Sequence, residues 1–235
     1  MVSLENKQDA EAVWGRDISN RQQKERAAAK IAARLKNGDV VGVGSGSTSF
    51  LTLKALAERR DIEGLEFRAI PTSIEMELVC SALAIHTTSL RVERPTWSFD
   101  GADEVDHKSN LIKGRGGALL KEKILMKACE ESYIVIDSSK MVTRLGSKFP
   151  VPVEINPDAI HIVHQELSKL SSVIDIKLRQ ALAKDGPVIT ENGNLILDVK
   201  LSKIENDMES RLKTIMGVVE TGLFIGYNPI ITISD

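Results

Sequence analysis

Residues 39–57 constrain the fold of this 235-residue chain more than any other stretch. Asp39-Val40-Val41-Gly42-Val43-Gly44 is a short apolar, β-branched run ending in glycine. Ser45-Gly46-Ser47-Thr48 is a tight polar turn, and Ser49 to Ala57 carries apolar residues at helical spacing. The pattern reads strand, turn, helix. Strand-like runs recur at Phe67 to Ile70, Trp97 to Phe99 and Tyr133 to Ile136, separated by helical or turn-rich sequence. Strands alternating with helices predict a layered α/β sheet, mostly parallel. Ligands of such sheets lie beyond the carboxyl ends of the strands. Gly44, Thr72, Asp100 and Asp137 each follow one of these runs, so the expected topology carries them to one crevice.

Upstream, residues 1–18 read as a polar N-terminal arm or helical extension, and Ser19 is placed to cap a helix over RQQKERAAAKIAARL that stops at Asn37-Gly38. Beyond Pro150-Val151-Pro152 the rhythm changes. A strand (Val151 to Ile155), a helix (Ala159 to Leu170), two strands (Ser172 to Leu178 and Leu195 to Val199), a helix (Asp207 to Met216) and a strand (Val218 to Ile225) follow in turn. That β-α-β-β-α-β order is ferredoxin-like. Glu191-Asn192-Gly193-Asn194 is hairpin-turn chemistry, and the run Ile230 to Ile233 returns to the larger domain. The expected organisation is an extension (1–18), a large α/β domain (19–149 with 229–235) and a small α+β domain (150–228).

Lys and Arg number 31 against 33 Asp and Glu, a formal charge of −2 that supplies no global field for nucleic acid. Aromatics are 4% of residues, too few for base-stacking platforms. No stretch approaches the roughly 18 consecutive apolar residues of a membrane span, and the N-terminus lacks an apolar leader core. Cys80 and Cys129 lie in apolar, element-like stretches and read as buried reduced thiols, which suits a reducing cytoplasm. An anionic substrate must therefore be captured by local cations.

Those cations stand beside carboxylates. Asp100-Gly101-Ala102-Asp103-Glu104 precedes Lys113-Gly114-Arg115-Gly116-Gly117-Ala118, and Glu122-Lys123 follows. Glycines between cations let backbone N–H groups and a lysine approach an oxyanion while carboxylates move protons, which suits carbon-acid chemistry on a small polar substrate. Gly44-Ser45-Gly46-Ser47-Thr48, between strand and helix, offers free N–H groups, a helix dipole and hydroxyls to a phosphate. The dinucleotide fingerprint needs glycine at position 47, and a P-loop needs a Gly-Lys-Ser/Thr ending; neither is present. Asp100, Asp103, Glu104 and Asp106 leave a hard-metal site or a solvated acidic turn open as alternatives, although the spacing is not that of an EF-hand loop. Lys113 and Glu122 are open to bland readings too, a solvated turn and a surface ion pair. His161 and His164 share a helix face with no partner ligands, which favours core or surface placement over metal.

Taken together, D-G-A-D-E, K-G-x-G-G-A-x-x-x-E-K and the upstream G-V-G-S-G-S-T resemble type A ribose-5-phosphate isomerase, in order from about Lys24 to the C-terminus. The resemblance implies a Rossmann-like, mostly parallel sheet flanked by helices with a smaller ferredoxin-like α+β domain. It implies a cytoplasmic, cofactor-free isomerase, a homodimer or homotetramer, acting on ribose 5-phosphate and ribulose 5-phosphate with neither nucleic acid nor membrane as partner. Carried over by residue, it makes Glu122 the base and gives Asp100 the ring opening or hydroxyl protons. Asp103 positions neighbours, and Lys113 stabilises the oxyanion. Gly44, Ser45, Gly46, Ser47 and Thr48 bind substrate, with serine at 45 where threonine is usual. Thr72 and Ser73 line the pocket with Gly114, Gly116 and Gly117, and Lys140 and Lys24 stand near the phosphate. Arg115 stays open between substrate contact and solvent. The small domain is expected to serve subunit assembly.

Other classes of protein fit the same elements. A non-catalytic sugar-phosphate sensor keeps the phosphate loop and loses the base, whereas Glu122, Lys113 and Asp100 all stand here. A related phosphosugar isomerase or an acyl-CoA transferase on the same fold is the enzymatic alternative.

Overall fold

The computed structural model describes residues 10–183 and 185–234; the first nine residues of the expected extension lie outside them. In chain order the elements are α1 (Ala10–Trp14), α2 (Arg21–Ala32), β1 (Asp39–Val43), α3 (Ser47–Glu63), β2 (Phe67–Pro71), α4 (Ile74–Ala82), β3 (His86–Thr87) and β4 (Trp97–Asp100). There follow β5 (Glu104–Val105), β6 (Leu111–Ile112), α5 (Leu119–Ala128), β7 (Glu131–Asp137), β8 (Val151–Ile155), α6 (Ile160–Ser168), β9 (Val173–Leu178) and β10 (Leu195–Leu201). The last are α7 (Met208–Lys213), β11 (Val218–Thr221), β12 (Leu223–Phe224) and β13 (Ile230–Ser234). The chain forms two compact units. One gathers the described residues up to Gly101 with Lys121–Ser139 and those from Pro229 on; the other gathers Ala102–Leu120 with Lys140–Asn228.

The first unit is built on a sheet of order β13-β7-β4-β1-β2-β3, every neighbouring pair parallel. The α/β reading holds, and the sheet is doubly wound: successive strands run outward one way from β1 and then the other way from β4. Strand order reverses between β1 and β4, and such a switch point opens a crevice at the carboxyl ends of the two strands. The core comes from Val41, Val43, Phe99 and Val135 of the sheet with Ala27, Ala28 and Ile31 of α2 and Phe50, Leu53 and Leu56 of α3, all buried. Gly42 lets α5 dock closely, because a Cβ there would lie 2.8 Å from Leu125 Cδ1 and 2.7 Å from Ser98 Cβ.

In the described part of the expected extension, residues 10–14 form the helix α1 and pack on the first unit: Ala10 is buried, Trp14 stacks on Phe50 with ring centroids 4.9 Å apart, and Glu11 pairs with Arg21 and Lys54. The residue before α2 is Asn20 rather than Ser19, in the left-handed conformation (φ 53°) that asparagine tolerates better than most, and no side chain caps that helix.

In the second unit, β8, β9, β10 and β11 with α6 and α7 give the antiparallel order β11-β8-β10-β9. This is the ferredoxin-like arrangement, its core drawn from Val151, Val153, Ile155, Val163, Leu167, Leu197 and Val199. The strand expected over Val218 to Ile225 breaks at Gly222, and its second half, β12, pairs with β6 in a separate three-stranded sheet. Gly222 makes the break possible. Its N–H donates to Pro152 O (2.7 Å), its carbonyl accepts from Lys113 N (2.9 Å), and a Cβ there would meet Lys113 O at 2.2 Å.

Residues 102–120 and 140–149, assigned from the motifs to the larger domain, group with this second unit. Glu104 is one reason. Its carboxylate is fully buried and accepts from the backbone N–H groups of Gly146 (2.7 Å), Lys148 (2.6 Å) and Phe149 (2.7 Å), tying β5 to the 146–149 loop. Glu104→Gln turns at least one of these donors toward an amide NH₂ group, and an unsatisfied buried donor costs about 1–3 kcal/mol. The expected outcome is an apparent Tm lowered by about 3–10 °C in a chain of this size. A thermal melt unchanged from wild type would show that the loop is held by other contacts.

Candidate active site

The first unit brings together the residues singled out around Gly44. The backbone N–H of Gly44 donates to Phe99 O (2.8 Å), bringing the ends of β1 and β4 together at the switch point. A Cβ at Gly44 would lie 2.1 Å from Asp100 Oδ1 and 2.0 Å from its Cγ, so only glycine lets this carboxylate lie against the loop. Asp100, buried at the end of β4, accepts from Gly101 N (2.7 Å) and lies 3.5 Å from Ser49 Oγ. Beyond Gly44, α3 starts at Ser47 after Gly46, whose φ of 90° suits glycine and which offers no side-chain cap. The first-turn N–H groups of a 17-residue helix thus face the crevice end of β1.

Hydroxyls and a lysine complete this loop. Thr72 follows β2, and its Oγ1 donates to Val43 O (3.1 Å) and lies 2.9 Å from Ser45 Oγ. The Lys24 ammonium donates to Ser47 Oγ at 3.0 Å, so the lysine from the motif-poor α2 reaches the loop although it is 6% exposed. Thr48 lies beside Gly101, where a Cβ would be 3.7 Å from Thr48 Cβ. Ser73, next in the chain, caps α4, its Oγ accepting from Met76 N (3.3 Å).

Glu122 is buried in the first turn of α5. Leu125, three residues on and on the same helix face, packs with Val40 and Ile70 and lies over Gly42. Because α5 connects the parallel strands β4 and β7, it runs back against them. Glu122 therefore stands about one turn nearer than Leu125 to the carboxyl edge that holds Gly44 and Asp100. Asp137, also at that edge, closes a local turn by accepting from Ser139 N (3.0 Å) and Ser139 Oγ.

The second unit assembles a charged cluster around Asp103. Its N–H donates to Ile112 O (2.9 Å), beside Lys113, whose own N–H is held by Gly222 O (2.9 Å). Lys113 is 3% exposed and its ammonium lies 5.9 Å from the centre of the Phe224 ring. The Asp103 carboxyl is pushed above the usual carboxylate range by burial. The charges of Lys113, Arg115 and Lys140 and a hydrogen bond from the Arg115 backbone N–H oppose the shift without cancelling it. The Arg115 guanidinium lies over the Phe149 ring at 4.6 Å and Lys140 Nζ over the same ring at 5.5 Å. Gly114 and Gly117, at φ 102° and 88°, give the intervening loop a course that other residues rarely follow, while Gly116 is exposed.

The remaining acids are turn and loop anchors. Asp106 accepts from Lys108 N (2.8 Å), Asn110 N (2.9 Å) and Asn110 Nδ2 (3.0 Å). Glu104 is filled by the donors described above, so it is a buried anchor rather than a solvated turn. Among the described residues no group of three or more His, Cys, Asp and Glu side chains is placed to hold a metal ion. His161 and His164 are exposed on α6. Cys80 is buried, its thiol pushed up to about 12 by burial, and Cys129 is half-buried. Phe149 and Arg179, whose guanidinium contacts the carbonyls of Gly114 and Arg115, escaped sequence reasoning. Neither lies in a motif, and nothing in the spacing marks them.

Comparison with known proteins gives a consistent result. The family model for Ribose 5-phosphate isomerase A (phosphoriboisomerase A) matches residues 68–235. The ribose-5-phosphate isomerase A of Synechococcus sp. is 40% identical over 216 residues, 90% of this chain and 92% of that protein. That of Methanothermobacter thermautotrophicus is 42% identical over 205 residues, 86% and 89% of the two. Among solved structures, ribose 5-phosphate isomerase A from Methanocaldococcus jannaschii aligns with a TM-score of 0.87 at 35% identity, covering 92% of this chain and 96% of that one. A D-ribose-5-phosphate isomerase in complex with phospho-erythronic acid aligns with a TM-score of 0.85 at 36% identity, covering 93% and 96%.

Since burial raises the folded-state Asp103 carboxyl above its ordinary range, folding disfavours its ionised form. Both states are neutral below the unfolded pKa of about 3.9, so the penalty is absent there; it builds as pH rises to the folded pKa and stays constant above it. Asp103→Asn removes it. The expected outcome is a variant more stable than wild type at neutral pH, with the difference vanishing in acid, measured by urea unfolding across pH. An Asp103→Asn protein less stable than wild type at pH 7 would show that the three cations outweigh desolvation.

Proposed function

The chain belongs to the ribose 5-phosphate isomerase A family, and from that premise we propose how its residues divide the reaction. The enzyme interconverts D-ribose 5-phosphate and D-ribulose 5-phosphate, an aldose–ketose isomerisation of the non-oxidative pentose phosphate pathway. Moving the carbonyl from carbon 1 to carbon 2 requires a proton to leave carbon 2 and one to reach carbon 1, with negative charge on oxygen between the two steps. The intermediate of this scheme is an enediolate.

Glu122 takes the proton from carbon 2 and returns it to carbon 1. Lys113 and the amides of Gly114, Gly116 and Gly117 stabilise the oxyanion, Asp100 handles the hydroxyl protons of ring opening, and Asp103 positions its neighbours. The loop Gly44, Ser45, Gly46, Ser47 and Thr48 receives the substrate, with Thr72 and Ser73 lining the pocket and Lys24 and Lys140 near the phosphate. The magnitudes require this division. A positioned acid–base group supplies about 10²–10⁴-fold and one oxyanion donor about 10²–10³-fold, so neither reaches ordinary enzymatic acceleration alone.

The observation that carries this reading is the convergence at the switch point of the first unit. A glycine loop opening a helix, the buried Asp100 and the lysine-tethered Ser47 lie at one sheet edge, and Glu122 sits in the helical turn nearest that edge. Phospho-erythronic acid, held by a relative of 36% identity, supports it chemically: a planar carboxylate next to a hydroxylated carbon resembles an enediolate. No helix among the described residues is long and apolar enough to cross a membrane; the proposed enzyme is cytoplasmic, and its active form is a dimer or tetramer.

Glu122→Gln tests the assignment, because it keeps size and most hydrogen bonding while removing the basic carboxylate. With Glu122 acting only in proton transfer, kcat falls by at least about 10²-fold and KM changes little. Exchange of the carbon 2 proton with solvent deuterium slows in parallel. A folded Glu122→Gln protein with unchanged kcat and exchange would remove Glu122 as the base and leave Asp100 as the next candidate.

A further inference from the structure

Arg179 stands just past β9, where its own N–H donates to Ile196 O of β10 (2.9 Å). Its guanidinium is fully engaged on two sides. Nε (2.9 Å) and Nη2 donate to the two carboxylate oxygens of Asp198 on β10, and Nη1 donates to the carbonyls of Gly114 (2.8 Å) and Arg115 (2.9 Å). The Arg179 and Asp198 side chains are 13% and 21% exposed, so the pair is largely removed from solvent. A fork held by a carboxylate on one edge presents its other edge in a fixed direction. That edge grips the glycine-rich loop.

The grip has a consequence across the peptide. In a trans peptide the C=O and the following N–H point in opposite directions. With the Gly114 carbonyl turned toward Arg179, the Arg115 N–H is turned the other way, and there it donates to the Asp103 carboxylate. The same geometry applied to the Arg115 carbonyl directs the Gly116 N–H away from Arg179. Gly114 at φ 102° has no side chain to hold this course; inside the loop its carbonyl accepts from Gly117 N (3.2 Å), and the shorter contacts on the Gly114 and Arg115 carbonyls come from Arg179, outside the loop.

We propose that Arg179, oriented by Asp198, is a positioning residue for the isomerisation: it fixes the peptides on both sides of Arg115 so that one amide holds Asp103 and the next is presented to the substrate's oxygen. The proposal rests on the reading above that places Asp103 and the glycine loop at the substrate. It extends the part of the second unit in catalysis from Lys113 and Asp103 to the ferredoxin-like sheet that carries Asp198. Lysine cannot replace the arginine, because a point charge lacks the planar fork that serves a carboxylate and two carbonyls together.

The test is a kinetic and thermal comparison of Arg179→Lys, Asp198→Asn and Asp103→Asn with wild type on ribose 5-phosphate. Arg179→Lys is expected to lower kcat by about 10-fold or more while KM moves less than about 3-fold, the pattern of a lost transition-state interaction. The acid limb of kcat/KM is expected to move to higher pH, since ionised Asp103, facing Lys113, Arg115 and Lys140, loses the fixed amide that favours its charge. A merely structural Arg179 would lower Tm and leave that limb in place. Wild-type kcat and acid limb in a folded Arg179→Lys, with Asp103→Asn impaired, overturn the proposal and leave the role of Asp103 intact. Full activity in Asp103→Asn overturns it together with the reading of Asp103. Should Arg179→Lys fail to fold, Asp198→Asn decides: it keeps the arginine and loosens its aim, so a smaller kcat loss with the same limb shift is expected, and an unchanged profile overturns the proposal.

Discussion

The approach of β1 to β4 at Gly44 is the constraint on which the first unit's chemistry depends. At the switch point of a doubly wound sheet the crossovers on either side lead away, leaving the strand ends open between them. The hydrogen bond from Gly44 N to Phe99 O, with no Cβ at position 44, lets the Asp100 carboxylate occupy that opening beside the loop that starts α3. A helix N-terminus attracts anions, and a buried carboxylate beside it makes the place polar at both ends. Anion and carbohydrate hydroxyls can then be addressed by one short segment of sheet edge. Gly42, two residues earlier, serves the other face, where its missing Cβ lets α5 settle and sets the height of Glu122.

In the second unit the same acidic motif splits into two uses. Asp103 stands at the bend just before β5 and Glu104 is the first residue of that strand, and their carboxylates meet different partners. Glu104 meets three backbone N–H groups and is satisfied as an ion. Asp103 meets cations and one amide, yet burial still holds its carboxyl above the usual range. A satisfied buried carboxylate is an anchor, whereas the Asp103 carboxyl is kept raised among two lysines and an arginine. This difference in partners, and not the density of acids in the motif, separates the two carboxylates.

Much of this was legible in the sequence. The strand–turn–helix over 39–57, the β-α-β-β-α-β order after residue 150 and the return of residues 230–233 to the large sheet follow from local periodicity, which tertiary packing here reinforces. Local patterns failed where long-range contacts decide. Gly222 breaks a run that reads as one strand because it passes between Pro152 and Lys113, residues far from it in sequence. Residues 102–120 go with the second unit through the pairing of β6 with β12 and the buried Glu104, neither of which leaves a local trace. Among site residues, glycines and acids announce themselves by clustering. Arg179 and Phe149 are single residues in ordinary surroundings, and only the fold reveals what they touch.

A glycine-rich loop raises a thermodynamic question that these outlying residues answer. Glycine loses more conformational freedom on ordering than any other residue, and fixing a residue's backbone costs about 1–2 kcal/mol. A loop of Gly114, Arg115, Gly116 and Gly117 with no partners beyond itself would bear that cost unaided. The loop is instead ordered by tethers already formed: Arg179 on the carbonyls of Gly114 and Arg115, Gly117 N on Gly114 O (3.2 Å), and Glu191 N on Gly117 O (3.2 Å). The 190–194 turn that supplies the last tether is itself pinned, since buried Glu154 accepts from Thr190 Oγ1 (2.7 Å) and Asn194 Nδ2 (2.9 Å). The ferredoxin-like sheet thus bears the entropic cost of ordering this loop and leaves its amides preorganised, the condition under which such donors accelerate a reaction.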